Sequence, residues 1–383
     1  MRIVIAPQAF KGSISALNAA KAMEAGVLNV LPDADTYLIP VADGGDGTLE
    51  TLVEGSSGSV RTALVTGPLG EQREALWGAM GDGVTAVIEM ARTSGLALVP
   101  LDARDPLNST TYGLGEAIAA ALDEGFRRFI VGIGGSATND AGAGMAQALG
   151  VSLLDSSGNN LALGGAALAQ LDRVDLSGLD DRALESTLMV ACDVTNPLTG
   201  PEGASAIYGP QKGATPDMVA SLDSALGNFA EVVRRDLDVD VEHLQGSGAA
   251  GGLGGGMVAF LNAELRTGVD IVMDIVNIDE HLEGADLVIT GEGELDYQTL
   301  YNKAPIGVAR RAQALGIPVV AIAGTLGERY ELVHDHGIDG ALSIPTGPMT
   351  LDEASERAAE LITRSTERML RLMRTGAKVF GTL

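Results

Sequence analysis

Short apolar runs alternate with longer helical patterns along most of this chain, and that alternation is the strongest constraint on its fold. The runs are rich in Val and Ile and end in Gly or Asp, which is typical of parallel strands joined by crossover helices. Strands are predicted at residues 3–5, 37–40, 85–89, 129–132, 188–191, 287–290, 319–323 and 341–344. The sequence therefore predicts an α/β protein.

The domain organisation follows from length and from where this strand style occurs. A chain of 383 residues has the length of two domains, at roughly 100–200 residues each. The first and last strands share one style, whereas the middle of the chain is longer and less regular. We expect a discontinuous domain over residues 1–67 and 285–383, with a second α/β domain inserted over 68–284. Two consecutive domains are the alternative.

The charge balance limits the partners. The chain has 51 acidic and 25 basic residues, a formal net charge of −26, and only 3% aromatic residues. Such a field repels nucleic acid and anionic membranes, and so few aromatic rings argue against a base-stacking surface. The expected partner is a small molecule, and an anionic one needs local positive groups. Lys11, Lys212 and Lys303 each stand beside turn-forming residues and are the candidates.

The expected compartment is the cytoplasm. Cys192 is the single cysteine, which excludes an intramolecular disulfide and fits a reducing environment. The N-terminal residues MRIVIAPQ begin with a strand-like run and lack the apolar core and cleavage site of a signal peptide. No stretch of the sequence approaches the roughly 20 apolar residues of a membrane span.

The clearest chemical signal is the segment 129–150, FIVGIGGSATNDAGAGMAQALG. A strand, a glycine turn and a helix N-terminus together present backbone N–H groups to an anion. The predicted phosphate-binding residues are Gly134, Gly135, Ser136, Thr138 and Asn139. Asp140 is predicted to be a metal ligand or a helix cap, since a carboxylate would repel phosphate. An ordinary glycine-rich turn is the alternative.

The same segment allows a dinucleotide-binding interpretation. Gly132, Gly134 and Ala137 approximate the glycine fingerprint, and Asp155 stands at a plausible ribose-binding distance along the chain. This pattern would favour an NAD-dependent oxidoreductase. The polar residues that follow Ala137 argue against it, because a dinucleotide-binding helix usually begins with apolar residues.

Two acidic segments are candidates for binding Mg²⁺, which prefers oxygen ligands. Asp43 and Asp46 lie three positions apart in the loop IPVADGGDGT, where a plain turn is the alternative. The second segment follows a predicted strand and carries three acids, Glu292, Glu294 and Asp296, with Lys303 close behind.

Two further segments carry candidates. Asp193 directly follows a predicted strand, the usual place for catalytic groups in open α/β sheets, whereas Cys192 is predicted to be a core residue. Gly248, Gly251 and Gly252 lie in a glycine-rich helix start, where a phosphate or another backbone could approach closely.

Taken together, these segments resemble the bacterial glycerate kinase family, the glyoxylate and galactarate pathway type. The matching stretches follow the family's order and are FKGSISA at 10–16, PVADGGDGT at 40–48, EMARTSGLALVP at 89–100, GIGGSATNDAGAGMAQALG at 132–150, ACDVTNPLTGPEGASAIYGPQKGA at 191–214, GAAGGLGGGMVAFLNAEL at 248–265, and ITGEG with LDYQT at 289–299.

The resemblance implies ATP-dependent phosphorylation of a glycerate hydroxyl, most often giving 2-phosphoglycerate. It also implies that the split domain is flavodoxin-like or Rossmann-like, and it leaves a homodimer open. Phosphoryl transfer needs positioning and charge neutralisation, so we assign roles accordingly. Lys11 and Lys212 are assigned to the transferring phosphoryl group and Asp193 to the base. The two glycine segments are assigned to binding the nucleotide phosphates. Substrate binding is assigned to Arg92, Glu294 and Lys303, and metal binding to Asp43, Glu292 and Asp296.

Four positions depart from the family's usual motifs. Gln8 and Ala9 replace an Asp–Ser pair, Glu294 replaces an arginine, and Asn302 replaces a glycine. Because an arginine-to-glutamate change reverses a charge that could hold a carboxylate, a kinase of a related small polyol or hydroxy acid is one alternative. A binding protein without turnover is another.

Overall fold

The structure, a computed structural model, describes residues 1–45, 47–301 and 303–381. Asp46 and Asn302 therefore lie outside the described residues. The strands are β1 Arg2–Pro7, β2 Asp35–Leu38, β3 Ser59–Thr66, β4 Gln72–Ala79, β5 Thr85–Glu89, β6 Arg128–Gly132, β7 Ser152–Leu154, β8 Arg173–Asp175, β9 Thr187–Ala191, β10 Glu264–Arg266, β11 Leu287–Leu295, β12 Val319–Leu326 and β13 Gly340–Ser343.

The helices, leaving aside short 3₁₀ turns, are α1 Ala16–Leu28, α2 Thr48–Gly55, α3 Ala91–Ser94, α4 Tyr112–Asp123, α5 Ala143–Ala148, α6 Asp181–Leu184, α7 Ala204–Tyr208, α8 Pro216–Leu237, α9 Ala249–Leu261, α10 Gly268–Ile275, α11 Ile278–Leu282, α12 Ala304–Ala314, α13 Leu351–Glu356 and α14 Ala358–Phe380. The predicted α/β class is confirmed. No helix within the described residues is both long enough and apolar enough to span a bilayer.

The chain divides into two compact units. The first comprises residues 1–43, 50–55 and 269–383, and the second comprises 44–49 and 56–268. These bounds differ from the predicted domain boundaries for two physical reasons. Strand β3 pairs with β4 in the sheet of the second unit. Helix α10 packs against α12 so closely that a Cβ added at Gly307 would lie 2.4 Å from Val269 Cγ2.

The first unit contains a five-stranded parallel sheet in the order β13-β12-β11-β1-β2. Counted along this unit alone, the order is 2-1-3-4-5, the flavodoxin-like doubly wound arrangement. The strand order reverses between β1 and β11, which pair in parallel from Ile3–Leu287 to Pro7–Gly291. In open α/β sheets, ligands bind outside the carboxyl ends of the strands at such a reversal.

The central strands of this sheet are apolar on both faces because helices cover both. Ile3 and Ile5 on one face and Val4 and Val288 on the other are fully buried, as expected for an interior parallel sheet. Helix α14 buries residues at helical spacing, from Leu361 and Ile362 through Met369 and Leu370. These side chains join the strand residues in one core.

The second unit contains a six-stranded sheet in the order β10-β9-β6-β5-β4-β3. Strands β5, β6, β9 and β10 run parallel, and β4 and β3 add an antiparallel hairpin at one edge. The core includes Trp77, which packs edge-on against Phe126 with ring centroids 5.4 Å apart. Parallel neighbours place the loops after β5, β6 and β9 at the same edge of this sheet.

Candidate active site

The loop after β6 exposes only its first two glycines. Gly134 and Gly135 are exposed, whereas residues 136–140 are buried. Backbone bonds fix the loop to the segment after α3, from Leu96 N to the Gly135 oxygen (2.8 Å) and from Ala137 N to the Ser94 oxygen (3.0 Å). A Cβ added at Gly134 would meet no heavy atom within 4 Å. The loop therefore presents the Gly134–Gly135 backbone to open space from a fixed position.

Lys212 lies behind this loop and is only 1% exposed. Its Nζ donates to Ser136 Oγ at 2.7 Å and to the Thr138 carbonyl oxygen at 2.6 Å. Burial lowers the pKa of Lys212 to about 7, although the nearby Asp140 carboxylate acts in the opposite direction. In the structure the ammonium holds the loop from inside, and the predicted contact between Lys212 and a transferring phosphoryl group stays a prediction.

Asp140 is a helix cap, one of the two roles predicted for it. Its buried carboxylate accepts hydrogen bonds from Thr111 N (2.8 Å), from Thr111 Oγ1 (2.9 Å) and from the amides of Gly142 (3.3 Å) and Gly144 (3.2 Å) at the start of α5. Burial raises the pKa of Asp140, and these hydrogen bonds oppose that effect. Thr111, which sequence reasoning missed, ties α4 to this loop.

The glycines of α9 pack against protein backbone. A Cβ added at Gly251 would lie 2.0 Å from the Thr138 oxygen, and one at Gly248 would lie 2.0 Å from the Pro197 oxygen. Gly251 and Gly252 also have φ of +74° and +90°, which disfavour any side chain. Of the two partners considered for this turn, the structure supports another backbone. The assignment of Gly248, Gly251 and Gly252 to phosphate stays a prediction.

The two polar side chains between these segments keep unpaired acceptors. Thr138 and Asn139 are fully buried, and Asn139 Nδ2 donates to Ser205 Oγ at 3.0 Å. Within the described part of the chain, Thr138 Oγ1 and Asn139 Oδ1 have no hydrogen-bond partner. Both side chains are buried and do not reach solvent, and the bond from Asn139 to Ser205 ties the loop to α7.

Two more predicted residues lie at the same sheet edge. Asp193 follows β9, is exposed, and accepts a hydrogen bond from Gly268 N at 3.0 Å. Arg92 Nε contacts Glu89 Oε2 at 2.6 Å, and Glu89 Oε1 accepts from Leu49 N at 3.1 Å. Glu89 thereby orients Arg92. This role was not predicted, although Glu89 is the last residue of β5 and the first residue of the motif EMARTSG.

The first unit has a cavity of about 630 Å³ outside the carboxyl ends of β1 and β11. This position is the strand-order reversal described above. The cavity brings together residues that are far apart in sequence and that sequence analysis singled out, namely Gln8, Ala9, Lys11, Glu292, Glu294, Asp296 and Lys303.

The buried end of this cavity is acidic. Glu292 is 8% exposed, and its Oε1 accepts a hydrogen bond from Thr299 Oγ1 at 3.0 Å. Burial raises the pKa of Glu292 to about 7; Thr299 and Lys303 oppose the rise, and the Asp43 and Asp296 carboxylates add to it. Lys303 Nζ lies 3.2 Å from Asp43 Oδ2. This contact with Thr299 was not predicted from the sequence.

The predicted metal ligands do not form a ready-made cage. Among the described residues, no group of three or more His, Cys, Asp or Glu side chains is arranged to hold a metal ion. Asp296 instead caps a short 3₁₀ turn by accepting from Gln298 N at 2.8 Å. Mg²⁺ is usually held by one or two carboxylates together with substrate phosphates and water. Asp43 and Glu292, which interact electrostatically, fit that mode.

Lys11 and Glu294 are the exposed charges of the cavity wall. Lys11 lies on a tight turn with Gly12, whose φ is +75°. Glu294 lies beside Gly327, where an added Cβ would come within 2.6 Å of its Oε1. A cation and an anion therefore face the same space.

Comparison with known proteins defines the class. The glycerate kinase family model matches residues 3–374. The chain is 53% identical to the glycerate kinase of Bacillus subtilis (strain 168) over 365 residues, 95% of this chain and 96% of that protein. It is 49% identical to the glycerate 2-kinase of Escherichia coli (strain K12) over 381 residues, 100% of both. The protein belongs to the glycerate kinase family.

A solved structure supports the same assignment for the fold. A crystal structure from Salmonella typhimurium LT2, assigned as a glycerate kinase 2, superposes with a TM-score of 0.91 at 49% sequence identity and covers 99% of both chains. The oxidoreductase alternative is overturned by these likenesses. The structure also gives the reason, because Asp155 follows β7, which pairs with β8 in a two-stranded sheet apart from the parallel strands that include β6.

Proposed function

We propose that this protein transfers a phosphoryl group from ATP to glycerate, forming 2-phosphoglycerate. The observation that carries the proposal is the match to glycerate kinases over essentially the whole chain, at 53% and 49% sequence identity. The name of the Escherichia coli relative, glycerate 2-kinase, supports the choice of hydroxyl.

In the second unit, the proposed phosphate contacts are the backbone amides of Gly134 and Gly135. Both glycines are exposed, and the backbone bonds of their loop fix them in place, so the loop needs little reorganisation when an anion arrives. Lys212 supports them from behind through Ser136 and the Thr138 carbonyl oxygen. Asp193, exposed at the same sheet edge, is proposed to accept the proton of the acceptor hydroxyl. Arg92, oriented by Glu89, is proposed to hold the acceptor's carboxylate.

In the first unit, Glu292 and Asp43 are the proposed Mg²⁺ ligands. Bound Mg²⁺ supplies charge neutralisation on the phosphate oxygens, and ATP supplies the phosphoryl group. The Glu292 carboxyl must be ionised to serve, and its pKa of about 7 makes that fraction depend on pH near neutrality. Lys303 limits repulsion by pairing with Asp43. Lys11 is the exposed cation that we propose to contact the transferring phosphoryl group.

A second acceptor is favoured by one observation. Glu294 places a carboxylate on the wall of the cavity, where it repels an anionic acceptor. A neutral polyol, or another hydroxy acid held in a different orientation, would avoid this repulsion. Glycerate remains the proposed substrate because of the full-length likeness to glycerate kinases.

The test is an ADP-release assay with MgATP and a panel of acceptors. The panel contains both enantiomers of glycerate, other short hydroxy acids and short neutral polyols. The expected result is the highest kcat/KM with one enantiomer of glycerate. Release of ADP with a polyol but not with glycerate would shift the function to the alternative acceptor. No acceptor-dependent ADP release would refute the kinase proposal.

A further inference from the structure

The cavity of the first unit has two chemically different ends. The carboxyl ends of β1 and β11 line one end with amide, ammonium and carboxyl groups. The segment that follows β13 and enters α13 lines the other end with apolar side chains, namely Ile344, Pro345, Pro348, Met349, Leu351 and Ala354. None of the predicted catalytic, metal or substrate residues belongs to this apolar wall.

The apolar wall leaves apolar surface exposed to solvent, which a ligand larger than water could cover. Leu351 is 81% exposed, whereas Ile344 of the same wall is only 3% exposed and joins the core. Covering exposed apolar surface contributes about 25 cal/mol per Å². The wall therefore favours a ligand that brings an apolar face.

Size and polarity argue against glycerate as the occupant of this end. A cavity of about 630 Å³ falls within the usual range of roughly 300–1,000 Å³ for ligands of drug size. Glycerate is much smaller and carries oxygen on every carbon. Placing it against Met349 and Leu351 would remove its hydroxyls from water without a hydrogen bond in return, which is unfavourable.

A buried amide also lines this cavity. Gln8, at the end of β1, is 6% exposed and lines the cavity. Its Oε1 has no hydrogen-bond partner within the described residues. An amide side chain can present either a donor or an acceptor, since its orientation is set by its partners. A purine offers both donors and acceptors on its edge and apolar character on its faces.

We propose that the apolar wall formed by residues 344–355 binds the nucleoside part of ATP, with Gln8 hydrogen-bonded to its polar edge. The proposal rests on the function proposed above, since that function makes ATP the donor. It also follows from position, because doubly wound sheets bind nucleotides at the strand-order reversal. The neutral nucleoside suits this wall because none of the residues of 344–355 that line the cavity is charged.

The experiment is calorimetric titration of the whole protein with ADP and, separately, a non-hydrolysable ATP analogue, both with Mg²⁺. Met349→Asp places a carboxylate in the apolar wall, and Ala354→Phe fills the cavity without adding charge. Leu372→Asp is the matched control, because Leu372 lies on α14 of the same unit, is 66% exposed and does not line the cavity. Circular dichroism melts verify folding, and ADP-release kinetics give the glycerate KM.

The expected result is a Kd for both nucleotides raised at least about tenfold in the two wall variants, with the glycerate KM within about twofold and Leu372→Asp like the wild type. If both folded wall variants keep the wild-type nucleotide Kd while glycerate turnover persists, the inference is overturned and the proposed function stands. If the nucleotide Kd rises as expected but no glycerate is phosphorylated, the inference holds and the proposed function fails. Absence of nucleotide binding by the wild type overturns the inference outright.

Discussion

The substitution Lys212→Met tests how the phosphate loop is held. Methionine keeps an unbranched side chain of similar length but removes the ammonium that donates to Ser136 Oγ (2.7 Å) and the Thr138 oxygen (2.6 Å). We expect the Gly134–Gly135 backbone to lose its fixed position. A displacement of about 1 Å in a positioning element costs on the order of 100-fold in rate.

The effect on global stability should be much smaller, because two large terms oppose each other. Each buried acceptor left without a partner costs about 1–3 kcal/mol, or about 2–6 kcal/mol for the two. Lowering the pKa of Lys212 from 10.5 to about 7 corresponds to about 5 kcal/mol against the protonated folded form, at about 1.36 kcal/mol per pKa unit. Methionine removes that cost. The free energy of unfolding at pH 7 should therefore change by no more than a few kcal/mol in either direction.

The burial of Lys212 also predicts the direction in which stability changes with pH. The folded-state pKa of about 7 lies below the ordinary value of 10.5. Between these pH values the unfolded chain binds more protons at this position, so the stability of the wild type rises with pH. The methionine variant lacks this rise. The difference in unfolding free energy between the two proteins should thus shift in favour of the wild type from pH 7 towards pH 10.

The assays are urea unfolding across this pH range and kcat/KM for MgATP from ADP release. The control is Lys21→Met, whose lysine is exposed on α1 and should change neither quantity. A Lys212→Met protein with kcat/KM within about threefold of the wild type would refute the positioning role. A pH-independent difference in stability would refute the burial of the charge.

Four further predictions concern the remaining site residues. Lys11→Ala should lower kcat at least about 100-fold, and Lys378→Ala, an exposed control on α14, should not; equal effects would contradict the assignment of Lys11. Asp193→Asn should lower kcat by at least about 100-fold with the ATP Kd within a few-fold, whereas loss of nucleotide binding would move Asp193 to another role. Glu292→Gln should remove a loss of stability that depends on pH, because the folded-state pKa of Glu292, about 7, exceeds the ordinary value of 4.5. The unfolding free energy of the wild type should fall by about 3 kcal/mol relative to the variant as the pH rises from 4.5 to 7. Unfolding free energies that change equally with pH in both proteins would contradict this. Glu294→Arg should lower the KM for glycerate at least about threefold by reversing a repulsion; an unchanged KM would show that Glu294 faces away from the acceptor.

Much of the fold could be predicted because its central strands are continuous apolar runs. The predicted strand 3–5 lies inside β1, and 287–290 is the first half of β11; their buried residues form the centre of the parallel sheet. The hairpin of β3 and β4 was missed, since β3 is largely exposed and shows little apolar alternation. Because β3 was not predicted, the first domain boundary was placed after residue 67, whereas the second unit already includes residues from Ser56 onward.

Residue type in the sequence was enough to single out side chains that the structure brings together, but it could not show which of them are buried. The cavity of the first unit contains Lys11, Glu292 and Lys303, which are chemically conspicuous in sequence. Lys212 is equally conspicuous, yet it is buried, and only the tertiary packing of its loop against residues 136–138 shows this. The sequence likewise could not show that the α9 glycines pack closely against the Thr138 carbonyl.

The most direct test of the proposed reaction is phosphorus NMR of a mixture of the protein, MgATP and glycerate. A phosphate ester at the secondary hydroxyl couples to one proton, whereas an ester at the primary hydroxyl couples to two. We predict that ATP signals are replaced in equal amount by ADP and by a phosphomonoester doublet, the signature of 2-phosphoglycerate. A triplet would place the phosphoryl group on the primary hydroxyl, and ATP that persists with no new ester would contradict glycerate kinase activity.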